Sequence, residues 1–182
     1  DCTGHGVPGA FMSLLGMTFL NEIVHQQITP DAKMILEIQR KKVKETLNQG
    51  TGHVRMRRDG MDMGVIIVDR EKEEINYAGA YLPLLRISDG KLTKFKADRM
   101  PVAVHHKERS FTQHFIPYKE GDSFYLFTDG YTDQIGGEKK EKFKLSRLQE
   151  LLLANQSLPM EEQKKILLET LEAWKGDYPM QV

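Results

Sequence analysis

The chain opens on residues that could do chemistry. An acid stands in front of three glycines, and an apolar run follows, in the order Asp1-Cys2-Thr3-Gly4-His5-Gly6-Val7-Pro8-Gly9-Ala10. Glycines at this density indicate backbone that turns tightly or lies close to another group. One interpretation is a dinucleotide-binding loop, because Gly4, Gly6 and Gly9 have the spacing of that fingerprint. The fingerprint also needs a strand before it and an acid about twenty residues later, and the sequence offers neither in the right place.

The competing interpretation makes Asp1 a metal ligand beside a loop. It requires a second acid of the same kind, and Asp129 supplies one, directly before Gly130. The preceding run Phe124-Tyr125-Leu126-Phe127 is typical of a buried strand. Carboxylates at strand ends suit Mn²⁺ or Mg²⁺, because these hard cations prefer oxygen ligands.

The two acid motifs resemble those of a known enzyme family. The segment from Asp1 to Ala10 and the segment Leu126-Phe127-Thr128-Asp129-Gly130-Tyr131-Thr132-Asp133-Gln134 are similar to motifs of the metal-dependent protein phosphatases (PPM, type 2C-like). The closer likeness is to their bacterial branch, the stage II sporulation protein E-like (SpoIIE-like) serine/threonine phosphatase domains. It extends over Gly60-Met61-Asp62 and Tyr77-Ala78-Gly79-Ala80, and so over nearly the whole chain.

The resemblance implies an α+β fold, a four-layer α-β-β-α sandwich in which two mostly antiparallel sheets pack face to face between helices. It implies that a metal-activated water hydrolyses a phosphoserine or phosphothreonine, with two Mn²⁺ or Mg²⁺ ions as cofactors. Asp1 and Asp129 would be the catalytic acids. Asp1 would bridge both ions, while the main-chain carbonyl of Cys2 would bind one ion and Asp129 the other. The implied substrate is a phosphorylated regulator of bacterial signalling, such as an anti-sigma-factor antagonist.

Composition narrows the possible partners and location. The chain has 182 residues, of which 40% are hydrophobic and 29% charged, as expected for one soluble domain. Lys+Arg and Asp+Glu both number 26, so we expect no nucleic-acid partner. The single cysteine fits a reducing compartment. We find no apolar run of the ~18 residues that a membrane span requires, and therefore expect a cytoplasmic domain that meets a membrane only through an attached domain.

Apolar spacing predicts two helices, a block of strands and two further helices. The first helix, over residues 10–27, has apolar residues at intervals of three and four, which predicts a broad buried face: Phe11, Leu14, Leu15, Met17, Thr18, Ile23 and Val24. Thr29 and Pro30 are the predicted N-cap and first residue of the second helix. The strands that follow are joined by short turns without helices between them, which indicates antiparallel pairing.

Charged residues suggest where a phosphoprotein could bind. Arg55, Arg57 and Arg58 lie in a predicted loop and are candidates for the substrate phosphate, because arginine pairs bidentately with phosphate. The alternative is a connection with ordinary surface charge. The basic residues of the second helix, Arg40 among them, are interpreted as a solvated face. Asp62 starts a strand beside the loop. It could approach the metals, but a solvent-exposed strand edge is the more common position for such a residue.

The family resemblance also raises expectations about what the chain lacks. Relatives carry one acid before the first motif and another on a last strand, so we expect residues 1–182 to be a single domain truncated at both ends. A catalytically degenerate relative that binds partners is the alternative function. Asp177 follows a helix-ending glycine, and we expect it in a surface turn. We expect a partner or a second copy to contact the first two helices and move Asp1 through the glycine loop, unless both helices are simply core.

Overall fold

The computed structural model describes residues 1–25, 31–49 and 59–180, which form two compact units. The first unit comprises Asp1–Leu84 and Phe95–Glu120, and the second comprises Leu85–Lys94 and the described residues from Gly121 onward. Each unit has its own hydrophobic core. The architecture is α+β, with two antiparallel sheets and flanking helices, which confirms the predicted fold class.

The first unit combines two helices with a three-stranded sheet. Its elements are α1 (Gly6–His25), α2 (Ala32–Thr46), β1 (Met63–Asp69), β2 (Glu74–Ala80) and β5 (His114–Pro117), and the strand order is β1-β2-β5. Both pairings are antiparallel, with Val65 opposite Ala78 and Asn76 opposite Phe115. Val65, Ala78 and Ala80 belong to the same core cluster as the buried residues of α1 and α2. An antiparallel sheet is not the parallel sheet of a dinucleotide-binding fold.

The exposure of α1 contradicts the broad buried face that the sequence predicted. The helix begins at Gly6 rather than at residue 10, and its buried residues are Gly9, Met12, Gly16 and Ile23. The predicted core residues Phe11, Leu14, Met17 and Val24 instead expose between 56% and 59% of their surface. The apolar side chains of α1 lie around most of its circumference, and a helix that packs against one layer can bury only one side.

By length and composition alone, α1 could cross a membrane, contrary to the expectation from the sequence. Core helices of soluble proteins and signal sequences near an N-terminus meet the same criteria. In the first unit α1 packs against α2. Length and composition therefore do not by themselves assign α1 to a membrane.

The start of α2 also differs from the prediction. Thr29 and Pro30 lie outside the described residues. The N-cap is Asp31, whose Oδ1 accepts a hydrogen bond from the backbone N–H of Met34 at 2.7 Å. A carboxylate at this position satisfies an otherwise unpaired helix N–H.

Arg40 of α2 is buried, not solvated as predicted. It donates to the carbonyl of Arg109 at 2.9 Å and forms an ion pair with Glu37. Its guanidinium also lies 4.5 Å from the ring centre of Phe111. A buried charge requires such partners, and the sequence pattern could not reveal them because two of the three are distant along the chain.

The second unit contains the other three-stranded sheet and the remaining helices. The sheet has the order β4-β3-β6, built from β3 (Leu84–Ser88), β4 (Lys91–Phe95) and β6 (Ser123–Leu126). After it come α3 (Asp129–Asp133), β7 (Ile135–Gly136), β8 (Glu141–Lys142), α4 (Leu145–Ala154) and α5 (Met160–Lys175). Asp89 and Gly90 have φ of 48° and 74° and form the turn between β3 and β4, where an Asp-Gly pair is typical of a tight hairpin turn.

Three short elements of this unit were not predicted. The charged stretch after Gly137 contains β8, in which Lys142 pairs with Ile135 of β7. The helix α3 is a single turn. Elements this short contain too few residues for an apolar period, so only their backbone hydrogen bonds define them.

Lys144, just before α4, has a backbone conformation that suits glycine. Its φ is 75° and its ψ is 148°, a combination that other residues adopt only under strain. Its Nζ pairs with Glu141 at 2.5 Å, and Arg147 donates to the same carboxylate at 2.6 Å. The hydrogen bond from Lys144 has the largest effect on the Glu141 carboxylate, followed by that from Arg147, and together they lower its pKa to about 2.

We expect Lys144→Gly to raise the Tm. It removes backbone strain worth about 1–3 kcal/mol, whereas the ion pair that it loses is exposed and contributes little. Lys144→Ala is the matched control, because it loses the same ion pair and keeps the strain, and its Tm should fall. Thermal unfolding followed by circular dichroism compares the two variants. A lower Tm for Lys144→Gly than for Lys144→Ala would contradict the assignment of strain.

Candidate functional site

The first acid motif is held as a short strand against the segment that precedes β1. Thr3 N donates to the Gly60 carbonyl at 2.9 Å, and Asp62 N donates to the Asp1 carbonyl at 2.7 Å. The Asp1 nitrogen donates in turn to the Asp62 carbonyl at 3.0 Å. Residues 1–3 and 60–62 therefore form an antiparallel pair, which we call the motif ladder.

The register of the motif ladder places Asp62 directly opposite Asp1. The two residues exchange both backbone hydrogen bonds, so their side chains project from the same face, with Cβ atoms about 5 Å apart in such pairs. The sequence analysis allowed Asp62 to approach the metals but favoured a solvent-exposed edge, and it did not identify this neighbour. The position of Asp62 directly before β1 was the available signal, but pairing register cannot be deduced from one chain segment.

Cys2 is the middle residue of the motif and lies opposite Met61. This pair does not exchange hydrogen bonds, because the bonds on either side involve Thr3 and Asp62. In that arrangement the Cys2 carbonyl points away from Met61. The Met61 carbonyl points away as well and accepts from Val102 N at 2.8 Å. The Cys2 carbonyl is thus directed away from the partner strand, as a metal-binding carbonyl must be.

The glycines after the motif have separate structural roles. Gly4 and Gly6 have φ of 92° and 62°, which side chains other than glycine rarely adopt. Gly9 lies inside α1, where an added Cβ would be 2.5 Å from the Gly4 carbonyl oxygen. The motif therefore folds back closely against the first turn of α1, and Gly9 makes this approach sterically possible.

Asp129 lies in the second unit, at the start of α3, and its side chain is exposed. The turn that carries it is anchored on both sides. Tyr131 donates its hydroxyl hydrogen to the Leu167 carbonyl at 2.8 Å, and Asp133 accepts from Lys142 Nζ at 2.6 Å. These contacts fix the backbone of the second acid motif and leave the Asp129 carboxylate facing solvent.

The predicted site residues are therefore placed in two groups. Asp1 and Cys2 lie in the first unit and Asp129 in the second, and a metal site shared by Asp1 and Asp129 stays a prediction. Arg55, Arg57 and Arg58 lie outside the described residues. Asp177 lies in the turn after α5, as expected.

The chemistry of the donors at the motif ladder fits a hard divalent cation. The available groups are the carboxylates of Asp1 and Asp62 and the carbonyl of Cys2, and all three present oxygen. Within residues 1–25, 31–49 and 59–180, no three His, Cys, Asp or Glu side chains converge on a common point suited to a metal ion.

A comparison with protein-family models identifies the relatives of this chain. The model of the stage II sporulation protein E (SpoIIE) family matches residues 1–180. The chain belongs to this family. A search of curated proteins gave no match.

Solved structures share the fold of this SpoIIE-family chain. The SiaA-PP2C domain of Pseudomonas aeruginosa is 29% identical with a TM-score of 0.85, and the match covers 100% of this chain and 68% of that one. The PP2C phosphatase domain of SpoIIE from Bacillus subtilis, solved with a fragment of its regulatory domain, is 16% identical with a TM-score of 0.70. That match covers 100% of this chain and 50% of the other. The RsbU and RsbW domains of Rv1364c from Mycobacterium tuberculosis are 22% identical with a TM-score of 0.73, and the match covers 97% of this chain and 46% of that one. The chain thus spans half or less of the last two proteins, and its fold is that of PP2C phosphatase domains.

The close approach at Gly9 gives a testable prediction for the SpoIIE-family motif. Gly9→Ala should displace Gly4 and with it the motif ladder, so we expect Mn²⁺ affinity to fall by ~10-fold or more while the Tm changes by only a few degrees. Isothermal titration with Mn²⁺ and thermal unfolding measure the two effects.

Thr18→Ala is the control in the same helix. Thr18 is exposed and donates to the Leu14 carbonyl of its own helix at 2.8 Å, so this variant also gains helix propensity without a contact to the motif ladder. Equal Mn²⁺ affinity in the two variants would show that the approach of Gly4 to Gly9 does not position the motif.

Proposed function

We propose that this SpoIIE-family chain is a metal-dependent serine/threonine protein phosphatase domain of a bacterial signalling protein, located in the cytoplasm. The observation that carries the proposal is the motif ladder, in which Asp62 opposes Asp1 and the Cys2 carbonyl points away from the pair. Two carboxylates on one face of a strand pair, next to an outward-directed carbonyl, present the oxygen donors that Mn²⁺ and Mg²⁺ prefer.

Asp1, Asp62 and the Cys2 carbonyl would hold one side of the metal centre, and Asp129 would complete it from the second motif. RsbX, which shares this fold at 13% identity with a TM-score of 0.58, was solved in complex with magnesium. Two divalent ions supply an activated water and positive charge for the phosphoryl oxygens. The protein's own part is to orient these oxygen ligands, since small errors in ligand placement weaken such a site.

The proposed substrate is a small regulator phosphorylated on serine or threonine, such as an anti-sigma-factor antagonist. Arg55, Arg57 and Arg58 would bind its phosphate, because a guanidinium can donate two parallel hydrogen bonds to phosphate oxygens. A degenerate relative that only binds partners is the alternative, and catalysis distinguishes the two.

The test is release of inorganic phosphate from a phosphoserine peptide and from p-nitrophenyl phosphate, with and without Mn²⁺. We expect release that depends on Mn²⁺ and that falls by about 100-fold or more in Asp1→Asn and Asp129→Asn, because each removes a carboxylate that would hold the metal ions, and the ions supply the positive charge for the phosphoryl oxygens. Asp177→Asn is the matched control and should retain full activity. Partner binding without phosphate release at any Mn²⁺ concentration would establish the degenerate alternative instead.

Asp62 gives a separate prediction, because the sequence analysis offered its approach to the metals only as the alternative to a solvent-exposed edge. Asp62→Asn keeps the backbone pairing and removes one of the two opposed charges, so we expect Mn²⁺ affinity to fall by ~10–100-fold without loss of the fold. Titration of Mn²⁺ followed by electron paramagnetic resonance measures the affinity directly, independently of turnover. An unchanged affinity would remove Asp62 from the metal centre and leave Asp1 in place.

A further inference from the structure

Gln49 is a buried amide just beyond the end of α2. It exposes 8% of its surface and uses both ends of its side chain. Its Nε2 donates to the Asp59 carbonyl at 2.5 Å, and its Oε1 accepts from Val104 N at 2.9 Å. Its backbone N–H donates to the Lys44 carbonyl at 2.9 Å, which ties it to the last turn of the helix. One side chain thus connects α2 with two other backbone segments.

Both of those segments lead directly into the motif ladder. Asp59 precedes Gly60, the residue that pairs with Thr3. Val104 follows Val102 by two residues, and Val102 N donates to the Met61 carbonyl at 2.8 Å. Three backbone segments thus lie side by side: residues 1–3, residues 59–62 in the middle, and residues 102–104. Gln49 joins the second to the third, while the first carries Asp1 and Cys2.

The motif ladder needs such external support. It consists of two short backbone segments, joined to each other and to the segment at Val102 by a few hydrogen bonds, and isolated pairings of this size are marginal in water. A metal centre in turn requires ligands held within about 0.5 Å of their working positions. Two part-buried hydrogen bonds from one side-chain amide restrict how the middle segment can shift, because breaking either would leave a polar group of the buried Gln49 unsatisfied.

We propose that Gln49 is a positioning residue for the metal-binding edge. Gln49 fixes Asp59 and Val104 relative to α2 and so holds residues 60–62 in place. Because residues 1–3 pair with residues 60–62, this keeps the Asp1 carboxylate and the Cys2 carbonyl in positions where they can bind a metal. The inference rests on the proposed function, since it assigns Gln49 to the same metal centre. Gln49 itself touches neither substrate nor metal.

The test compares Gln49→Leu and Gln49→Glu with the wild-type protein over the full chain. Gln49→Leu removes both hydrogen bonds, whereas Gln49→Glu keeps an acceptor for Val104 and loses the donor to Asp59. Two quantities are measured: Mn²⁺ affinity, and native-state hydrogen exchange of the Thr3 and Asp62 amides in metal-free protein. We expect at least ~10-fold weaker Mn²⁺ binding, about 10-fold faster exchange at both amides, and recovery of phosphatase activity at saturating Mn²⁺.

Gln113→Leu is the matched control at the opposite end of α2. Gln113 Oε1 accepts from Lys33 N at 2.8 Å, and its Nε2 donates to Asn76 Oδ1. This variant also removes two side-chain hydrogen bonds, one to α2 and one to Asn76 of β2, but far from the motif ladder. It should lower the Tm without changing Mn²⁺ affinity or the exchange of Thr3 and Asp62.

The outcomes separate this inference from the proposed function. Wild-type protein that binds no Mn²⁺ would overturn both. Mn²⁺ binding by wild type, with Gln49→Leu indistinguishable from Gln113→Leu, would overturn only the positioning role. Faster exchange at all amides in both Gln49 variants would assign Gln49 to global stability, which also overturns the positioning role.

Discussion

The pairing of residues 1–3 with residues 60–62 is the interaction on which the candidate site depends. It joins segments separated by α1, α2 and the connections between them, so closing this long loop has an entropic cost. Each backbone hydrogen bond of the pair offsets only about 0.5–1.5 kcal/mol. The pairing must therefore be supported by the packing of the helices that lie between the two segments in sequence.

Met61 is the side chain through which that support reaches the motif ladder. It is buried, and it packs against Gly16 of α1 and Gln39 of α2. Gln39 Nε2 donates to the Gly16 carbonyl at 2.7 Å, while its Oε1 accepts no hydrogen bond from the residues that the structure describes. An unsatisfied buried acceptor costs about 1–3 kcal/mol. The contact between α1, α2 and the motif ladder thus includes the buried Gln39 amide, whose unsatisfied oxygen is destabilising and is not accounted for by favourable packing.

The second acid motif is supported in a different way, by side chains beneath its turn. Gln134 is buried and donates to the carbonyls of Ile135 and Pro179, both at 3.0 Å. Trp174 Nε1 donates to the Gln134 carbonyl at 3.0 Å. Burial raises the pKa of the Tyr131 hydroxyl to about 12, so this group remains a hydrogen-bond donor over the whole physiological range. The backbone after Asp129 is therefore fixed by α5, the last helix of the unit.

The sequence by itself determined the order of the main helices and strands, the antiparallel class of the sheets and the family. Apolar periods, the Asp89–Gly90 turn and the residue order of the two acid motifs are each contained in one short stretch of sequence, so they can be recognised without knowing what that stretch packs against. Only the tertiary structure decided which side of α1 is buried, that Arg40 lies inside, and that Asp62 stands opposite Asp1. These depend on contacts between residues distant along the chain, and a shift of one residue in register would have turned Asp62 to the other face. The apolar periodicity of one segment cannot predict this register, because the register is set by how other segments pack around the pair.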